Sequence, residues 1–420
     1  MTKSNSIMRS AIFMALASLA GHAAAGGIGI GTQSGSGTGN AYAGGAAGAE
    51  DASTIWYNPA GMTNLPTGTQ FAVVGHLLRP SFKYGDNGST GVFAAPGSGN
   101  GGDGGDWVLV PQAYISTNIG NNWRVGVAFN TPFGLKTEYD AGWRGTLIAQ
   151  KSEVKTYNLN PSIAYQINDR FSLGAGISYQ RIEATLTNFA GAAGSAELKA
   201  SDSNYGFNLG AMFNASRDTR IGVAYRSSIG YKLNGTVTFS GLGGLANSGA
   251  QADLTVPESF SISVFSAINP KWDVMADITR TRWSHFQALV VTRTSASILG
   301  GVGSVVTTLP FNWSDTWRYS IGANYKYNDA WKLRVGLAYD QTPTNDVDRT
   351  PRLPDQDRTW LAFGAQYKIS KNAALDFGYA HEFIKDASVN VAAPAPAPGR
   401  LIGTFTNQAD ILSIQYTQTF

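Results

Sequence analysis

The chain has 420 residues, of which only 14% are charged; glycine accounts for 50 of them and cysteine is absent. The formal net charge of +3 comes without a concentrated basic face, which excludes nucleic acid as an expected partner. After the N-terminal leader there is no run of about eighteen apolar residues, so membrane-spanning helices are excluded.

Residues 1–25 have the pattern of a secretory signal peptide. Lys3 and Arg9 precede an apolar run from Ala11 to Ala20, and the small residues Ala23-Ala24-Ala25 follow. The apolar run is shorter than the about twenty residues that a membrane-spanning helix needs, and cleavage is expected after Ala24 or Ala25. Cleavage removes two basic residues, so the charge of +3 becomes +1, and the protein is expected to be exported.

Residues 26–66 form a nearly uncharged segment ahead of the first strand. Glu50 and Asp51 are its only charges, and the stretch DASTIWYNPAGM places Asn58-Pro59-Ala60 near its end. Because Asn caps a turn and Pro presets φ, this tripeptide predicts a sharp bend or the start of a helix.

From residue 67 to residue 420 the sequence alternates between apolar and polar side chains. In WKLRVGLAYD, Trp331, Leu333, Val335, Leu337 and Tyr339 share one face, opposite Lys332, Arg334, Gly336, Ala338 and Asp340. A soluble β-sandwich alternates in the same way, but here Tyr and Trp flank the apolar face at both ends, as they do at lipid headgroups. Together with export, this pattern favours a transmembrane β-barrel in an outer membrane.

The connections give the number of strands. Six short turns alternate with seven longer segments, which makes thirteen connections and fourteen antiparallel strands with both termini on the periplasmic side. The short turns are at 120–122, 168–169, 216–218, 269–271, 328–330 and 370–372, and the longer segments are 85–105, 132–150, 188–198, 241–251, 295–308, 341–356 and 387–407.

A barrel of fourteen strands is too wide for its own side chains to fill, since about eight strands already enclose a packed interior. We therefore expect residues 26–66 to form a plug, or hatch, inside the lumen. The alternative is a disordered periplasmic tail, which Trp56, Tyr57 and Met62 disfavour because disordered segments are poor in large apolar residues.

Several stretches resemble the FadL/TodX family of outer-membrane transporters for hydrophobic substrates, and the resemblance runs from the hatch to the C-terminus. The stretches are GTGNAYAGGAAGAEDASTIWYNPAGM, TPFGLKTEYDAGWRG, YNLNPSIAYQINDRFSLGAGISY, VPESFSISVFSAINPKWDVMADITRTRWSHF and TPRLPDQDRTWLAFGAQY. The resemblance implies a fourteen-stranded barrel and the uptake of long-chain fatty acids or of aromatic and aliphatic hydrocarbons. It also assigns Asn58, Pro59 and Ala60 to the hatch motif.

The same resemblance implies lateral release of the ligand beside a kinked third strand. Here strand three is Trp123–Thr131, and its end is followed by Pro132 and Gly134. Pro removes a ladder donor and Gly weakens pairing, so the candidates for a lateral gate are Gly126, Asn130, Pro132 and Gly134, with Asn130 positioned to satisfy freed backbone groups. An ordinary proline at a strand end remains the alternative.

Two sets of residues are candidates for ligand contact. A carboxylate ligand would need a basic partner in the lumen, and the arginines with inward parity are Arg124, Arg226, Arg318 and Arg334. We expect them to pair with the inward Asp273, Asp277, Asp376 or Glu382, or else to contact ligand. Exposed apolar residues in the outer segments usually mark a binding surface, which makes Phe133, Leu135 and Trp143 candidates for contact with ligand. The segment 188–198 is shorter than the corresponding collecting loop of the family, which leaves the substrate open.

The sequence thus predicts a monomeric, passive outer-membrane transporter without metal or cofactor. Its expected partners are outer-membrane lipid and lipopolysaccharide, a hydrophobic small molecule, and the assembly machinery, which would recognise the terminal Phe420. A channel for monoaromatic or alkane hydrocarbons, a nonspecific porin, an outer-membrane lipase or acyltransferase using Ser284 and His285, and an adhesin are the alternatives.

Overall fold

The computed structural model describes residues 26–420; the predicted signal peptide, residues 1–25, lies outside the described residues. None of the helices in the described range is long and apolar enough to span a bilayer.

A single closed antiparallel sheet accounts for most of the described chain. Six of its fourteen strands are split in two, so that there are twenty segments. They are β1 (Thr69–Asp86), β2 (Val108–Asn118), β3 (Trp123–Asn130), β4 (Gly134–Glu138), β5 (Lys151–Gln166), β6 (Phe171–Phe189), β7 (Ser195–Asn214), β8 (Thr219–Arg226), β9 (Ile229–Phe239), β10 (Ser248–Val256), β11 (Ser259–Ala267), β12 (Trp272–Thr281), β13 (Ala288–Arg293), β14 (Val305–Pro310), β15 (Thr316–Lys326), β16 (Trp331–Asp340), β17 (Arg358–Lys368), β18 (Ala373–Ile384), β19 (Ala387–Ala392) and β20 (Arg400–Thr419).

The barrel closes between its first and last strands. β1 pairs with β20 from Gln70 opposite Thr419 to Asp86 opposite Gly403, so no sheet edge is left at this seam. Phe420 stacks on Phe71 beside the seam, with ring centroids 5.8 Å apart. The predicted fourteen-stranded antiparallel barrel is confirmed.

Alternation gives the wall an apolar outer face. On β16 the side chains of Leu333, Val335 and Leu337 are 43%, 40% and 46% exposed, whereas Arg334 and Ala338 on the opposite face are buried. The turn ends of neighbouring strands bear aromatic pairs, as in a headgroup girdle: Trp123 with Tyr165, Phe171 with Phe213, Trp272 with Tyr325, and Trp331 with Tyr367.

All six predicted short turns join consecutive strands, but the longer segments contain more structure than the sequence suggests. Residues 134–138 form β4, and residues 387–392 pair with 400–405 as an extension of the last hairpin. Both stretches lie inside segments predicted to be loops, because their Gly and Pro content does not reveal that neighbouring strands complete the ladder.

In most of the split strands, the alternation of inward and outward side chains shifts by one residue at the split. Gly222, Ala224 and Arg226 point inward on β8, but after Ser227 and Ser228 the inward residues become Ile229 and Tyr231. One extra residue at a bulge reverses which side chains face the lumen. Apolar side chains therefore fill the outer half of the lumen along strands whose inner half has a polar interior face.

The N-terminal segment, residues 26–66, is folded into short helices. They are α1 (Gly35–Thr38), α2 (Gly45–Gly48), α3 (Thr54–Tyr57) and a 3₁₀ helix at Pro59–Asn64. Further 3₁₀ turns lie at Gly91–Ala94, Gly191–Ala193, Gly243–Ala246 and Trp283–His285.

Candidate functional site

The bend predicted at Asn58 is present, and its side chain is fully buried. Asn58 Oδ1 accepts from the Ala60 amide at 3.0 Å and so caps the 3₁₀ helix that Pro59 begins. Its Nδ2 donates to the carbonyl of Ala46 at 2.7 Å and to that of Ala211, on β7 of the wall, at 3.0 Å. One side chain therefore fixes the bend, the fold of the segment and its position against the barrel.

Glycines in the wall allow the backbone of the N-terminal segment to approach closely. A Cβ placed on Gly174 would overlap the backbone of Pro59 and Ala60, and one on Gly210 would overlap the Asn58 amide. Gly222 and Gly336 meet the backbone of Ala46 and Asn40 in the same way. The segment thus contacts inward faces of strands on several sides of the barrel.

The four inward arginines all donate to backbone carbonyls of this segment. Arg124 Nη2 reaches Leu65 O at 2.9 Å, Arg226 Nη2 reaches Trp56 O at 2.9 Å, and Arg318 Nη2 reaches Ala41 O at 2.8 Å. Arg334 donates to Ser36 O at 2.5 Å.

Of the predicted arginine–carboxylate pairs, the structure has one, Arg334 with Asp376 at 2.9 Å. Among the other acceptors, Asp273 pairs with Lys326, Glu382 with Arg358, and Asp277 accepts from Ser263 and Thr279. The expectation for Arg124, Arg226 and Arg318 was wrong because parity places a residue in the lumen but does not reveal which carbonyls of a second segment lie opposite it.

Glu50 forms ion pairs between the N-terminal segment and the wall. It forms ion pairs with Lys332 at 2.5 Å and Arg334 at 2.6 Å. Burial raises the pKa of Glu50, but the adjacent Arg334 and Lys332 outweigh burial and hold the pKa at about 2. At this point the N-terminal segment is therefore held against the wall by ion pairs in addition to close packing.

Strand three is interrupted at the predicted kink. β3 ends at Asn130, and β4 pairs with β5 but not with β2. Residues 108–112 of β2 pair with β1 and have no partner in β3 or β4. The ladder between the second and third strands is therefore open above Asn130.

The start of the described chain lies against this opening. Ile30 N donates to Pro132 O and Gly134 N donates to Ile28 O, both at 2.8 Å, and Gly29 forms an antiparallel bridge with Phe133. These three residues therefore form a strand-like contact with residues 132–134 along the kink.

The other gate candidates have different contacts. Asn130 Nδ2 donates to Gln33 Oε1 at 2.9 Å, so it binds a side chain of the N-terminal segment rather than freed wall backbone. Gly126 lies lower on β3, and a Cβ there would meet Ile55 and Met62. Gly126 is thus a packing position for the segment and lies away from the opening.

Above the N-terminal segment lies an apolar cluster, here called the inner core. Phe133 packs edge-on against Trp283 with centroids 6.2 Å apart, and Trp283 packs edge-on against Trp313 at 5.1 Å. Other members include Ile28, Leu135, Ile229, Tyr231, Leu254, Val256, Phe286, Leu289 and Val291. A cavity of about 200 Å³ lies between Phe133, Trp283, Arg226 and Arg318 at its lower edge.

Of the three apolar residues predicted to contact ligand, Phe133 and Leu135 are in the inner core and Trp143 is not. Trp143 is 1% exposed and stacks on Tyr139 at 4.3 Å in a separate cluster with Tyr84 and Phe405. Sequence reasoning missed Trp283, Phe286 and Trp313. The stretch TRWSHF does interrupt the alternation of its strand, and such a break was the available signal.

Towards the outside, the loops enclose a second and larger cavity of about 700 Å³, here called the outer cavity. Its walls are mainly apolar, and two arginines also line it. The lining includes Leu147, Ile148, Leu186, Leu198, Val237, Phe239, Val306, Leu309, Arg352 and Arg400. Leu186, Leu198, Val237, Phe239 and Leu309 also belong to or pack on the inner core, so the two apolar regions are continuous.

Elsewhere in the described range, no group of three or more His, Cys, Asp or Glu side chains is arranged to hold a metal ion. Ser284 and His285 lie in a 3₁₀ turn; His285 Nε2 faces Glu258 at 3.2 Å, and the Ser284 amide donates to Asp315.

Comparison with known proteins gives consistent results. A family model described as outer membrane protein transport protein (OMPP1/FadL/TodX) matches residues 16–420. The chain is 30% identical to an outer membrane protein of Neisseria meningitidis serogroup B over 99% of both chains. It is 26% identical to the long-chain fatty acid transport protein of Escherichia coli K12, over 93% of this chain and 95% of the relative.

Solved structures agree with the fold. A Pseudomonas aeruginosa FadL homologue superposes with a TM-score of 0.85 at 25% identity, covering 94% of this chain and 100% of that one. The Pseudomonas putida toluene transporter TodX superposes with a TM-score of 0.66 at 19% identity, covering 88% and 94%. With the family model matched from the leader to the last residue, the chain belongs to the OMPP1/FadL/TodX family of outer-membrane transport proteins.

Proposed function

We propose that the protein takes up long-chain fatty acids or similar hydrophobic compounds across the outer membrane, passively and without a cofactor. Ligand enters the outer cavity, moves to the inner core, and leaves sideways past the interrupted third strand. The N-terminal segment acts as the hatch.

One observation supports this proposal most directly. The apolar path from the outer cavity to the inner core ends at the ladder opening above Asn130, and the strand-like contact of Ile28–Ile30 with Pro132–Gly134 covers that opening. Two backbone hydrogen bonds are a weak closure, since each contributes about 1 kcal/mol net. Movement of three residues would therefore connect the inner core to the bilayer.

A reversible disulfide tests the exit. Gly29 and Phe133 face each other in a bridge of the antiparallel type in which side chains approach closely, and the chain has no native cysteine. We expect the oxidised Gly29→Cys/Phe133→Cys variant to bind oleate but not to release it into cells, with uptake restored by a reductant. The two single-cysteine variants are the controls. Equal uptake by the oxidised and reduced forms would contradict lateral release.

A monoaromatic or alkane hydrocarbon is the alternative substrate, since one structural relative is named as a toluene transporter. Competition between oleate and toluene for uptake separates the two. A nonspecific porin is less well supported, because the N-terminal segment and the apolar clusters fill the lumen. Rapid sugar flux through the intact protein in liposome swelling would favour the porin.

A further inference from the structure

The β13–β14 hairpin extends past the end of its neighbour β16 and has one free strand edge. Lower in the wall, β15 pairs with β16 up to Arg318 opposite Asp340, where β16 ends and the chain enters the connection to β17. Among residues 26–420, β14 therefore pairs with β13 and with no other strand. An unpaired edge presents main-chain N–H and C=O groups that can pair with another strand.

This free edge borders the outer cavity. Five consecutive residues of β14, residues 306–310, line the cavity of about 700 Å³. Successive side chains of a strand point to opposite faces, so a cavity that touched one face of β14 would be lined by alternate residues. The cavity is therefore in contact with the edge of the strand and with its main chain. On the other side of the cavity, residues 390–392 of β19 also line it consecutively.

The hydrogen-bond pattern of the hairpin shows which main-chain groups face the cavity. Phe311 N donates to Gln287 O at 2.8 Å, and hydrogen-bonded pairs recur at every second residue of an antiparallel ladder. Leu309 and Thr307 thus bond to β13, whereas the N–H and C=O of Thr308 point away from it. Thr308 is exposed, and within the described range no hydrogen bond outside the ladder involves its main chain.

An extended peptide can satisfy such an edge, and a hydrocarbon chain cannot. A peptide that adds as a further strand exchanges main-chain hydrogen bonds with the edge, while its side chains contact the walls on either face. The walls of the outer cavity are mainly apolar and suit apolar side chains. Among the described residues, the charged part of the lining is Arg352, Arg400 and Asp348. Two positive charges against one negative complement a neutral or acidic peptide better than a basic one.

We propose that the outer cavity binds a short apolar peptide in an extended conformation, which adds as a strand to the free edge of β14. A cavity of about 700 Å³ is in the range of pockets that enclose small molecules, which limits the bound part of the peptide to a few residues. Peptide binding is a second activity of the loop side of the barrel, and it does not depend on the uptake of fatty acids.

N-methylation of the peptide tests the strand pairing. The probe is a fluorescently labelled pentapeptide, acetyl-Val-Thr-Leu-Thr-Val amide, and its binding to the mature protein in lipid nanodiscs is measured by fluorescence anisotropy. Two analogues have N-methyl groups on one or the other alternate set of amides, which removes donors and keeps the side chains. We expect one analogue to bind about tenfold or more weakly and the other to bind like the parent peptide, because alternate amides of a strand face opposite sides.

A matched pair of proline variants tests the edge of the protein. Thr308→Pro removes the N–H that faces the cavity and keeps the hydrogen bonds to β13. Val290 lies opposite Thr308 on β13, so Val290→Pro removes an N–H from the other edge of the same hairpin, away from the cavity. Proline is tolerated at strand edges. We expect Thr308→Pro to bind the parent peptide about tenfold more weakly than the wild type and Val290→Pro to bind it equally well.

Three results would overturn the proposal. Equal affinity of the wild type for the parent peptide and both analogues would mean that side chains alone hold the peptide. Equal loss of affinity in the two proline variants would mean that binding needs an intact hairpin and not the cavity-facing edge. A wild-type protein that does not bind the parent peptide would exclude this class of ligand, whether or not oleate is taken up.

Discussion

The side chain of Asn58 makes three hydrogen bonds, which is more than a helix cap requires. Its amide joins Ala60, Ala46 and Ala211, and so links the bend, α2 and the wall. An alanine at this position would remove three hydrogen bonds to backbone groups, each with a net contribution of about 0.5–1.5 kcal/mol. The asparagine therefore positions the N-terminal segment, in addition to starting a helix.

We expect Asn58→Ala to impair oleate uptake while the barrel stays folded, because the strands do not depend on this side chain. Uptake and hydrogen exchange of residues 58–64 measure the effect, and the heat-dependent gel mobility of the barrel reports its folding. Asn121→Ala, in the exposed short turn between β2 and β3, is the control. Normal uptake and normal exchange in Asn58→Ala would remove the bend from the mechanism.

Glu50 predicts a pH dependence with a defined sign. Its pKa in the folded protein, about 2, lies below the ordinary value of 4.5. The contribution of the carboxylate to docking is therefore complete above about pH 5 and is lost as the pH falls towards 2. The protection factors of amides in residues 45–52, which correct for the intrinsic pH dependence of hydrogen exchange, should fall as the pH is lowered over that range in the wild type and stay constant in Glu50→Gln. Parallel curves for the two proteins would contradict this.

At the scale of single elements, the strands adapt to the segment that they enclose. β6, β8 and β16 each place a glycine where the backbone of that segment touches the wall, and β7 places one against the side chain of Asn58. Elsewhere a wall glycine has room, as at Gly75 on β1, where the nearest atom to an added Cβ is 3.9 Å away. The contrast provides a matched pair of substitutions.

Gly210→Ala should displace Asn58 and allow ion leakage, since its Cβ would overlap the Asn58 amide, whereas Gly75→Ala should behave as the wild type. Single-channel conductance in planar bilayers measures the difference. If the Gly210→Ala variant did not conduct ions, the wall rather than the N-terminal segment would move to accommodate the added methyl group.

The third strand is likewise shaped by a contact with the N-terminal segment. Proline at position 132 cannot donate to a ladder, and the sequence therefore locates the interruption. The two partners of the kink, Ile28 and Ile30, lie about one hundred residues earlier in the chain, and no local pattern relates them to it. The sequence therefore predicted the kink at Pro132 but not its contact with Ile28 and Ile30.

At the scale of the whole molecule, the barrel and the N-terminal segment have separate physical roles. The wall obtains its stability from a closed ladder and an apolar outer face, which are independent of residues 26–66. The interior depends on that segment, since five arginines of the wall donate to its carbonyls: Arg124, Arg220, Arg226, Arg318 and Arg334.

Deletion of residues 26–66 should therefore leave a folded barrel with an aqueous pore. We expect sugars to enter liposomes that contain the deletion variant at least several times faster than those that contain the full mature chain. Swelling rates measure the flux, and gel mobility confirms that the barrel is intact. A deletion variant that stays impermeable to sugars would show that the loops or wall side chains close the lumen by themselves.

The sequence alone determined the class of wall, the number of strands, their turns and the face that each regular strand presents to lipid. These features follow from a period of two and from turn residues, which are local in the chain. It also located the bend at Asn58 and the kink at Pro132, because Asn and Pro act on their own backbone.

Only the tertiary structure decided what lies inside. One-residue bulges reversed the inward faces of several strands, and the 3₁₀ turn Trp283–His285 and the connection between β14 and β15 placed Trp283 and Trp313 in the inner core. Hydrogen bonds over long sequence separations assigned the inward arginines to carbonyls of the N-terminal segment. Such contacts depend on distance in space, and a pattern with a period of two residues contains no information about them.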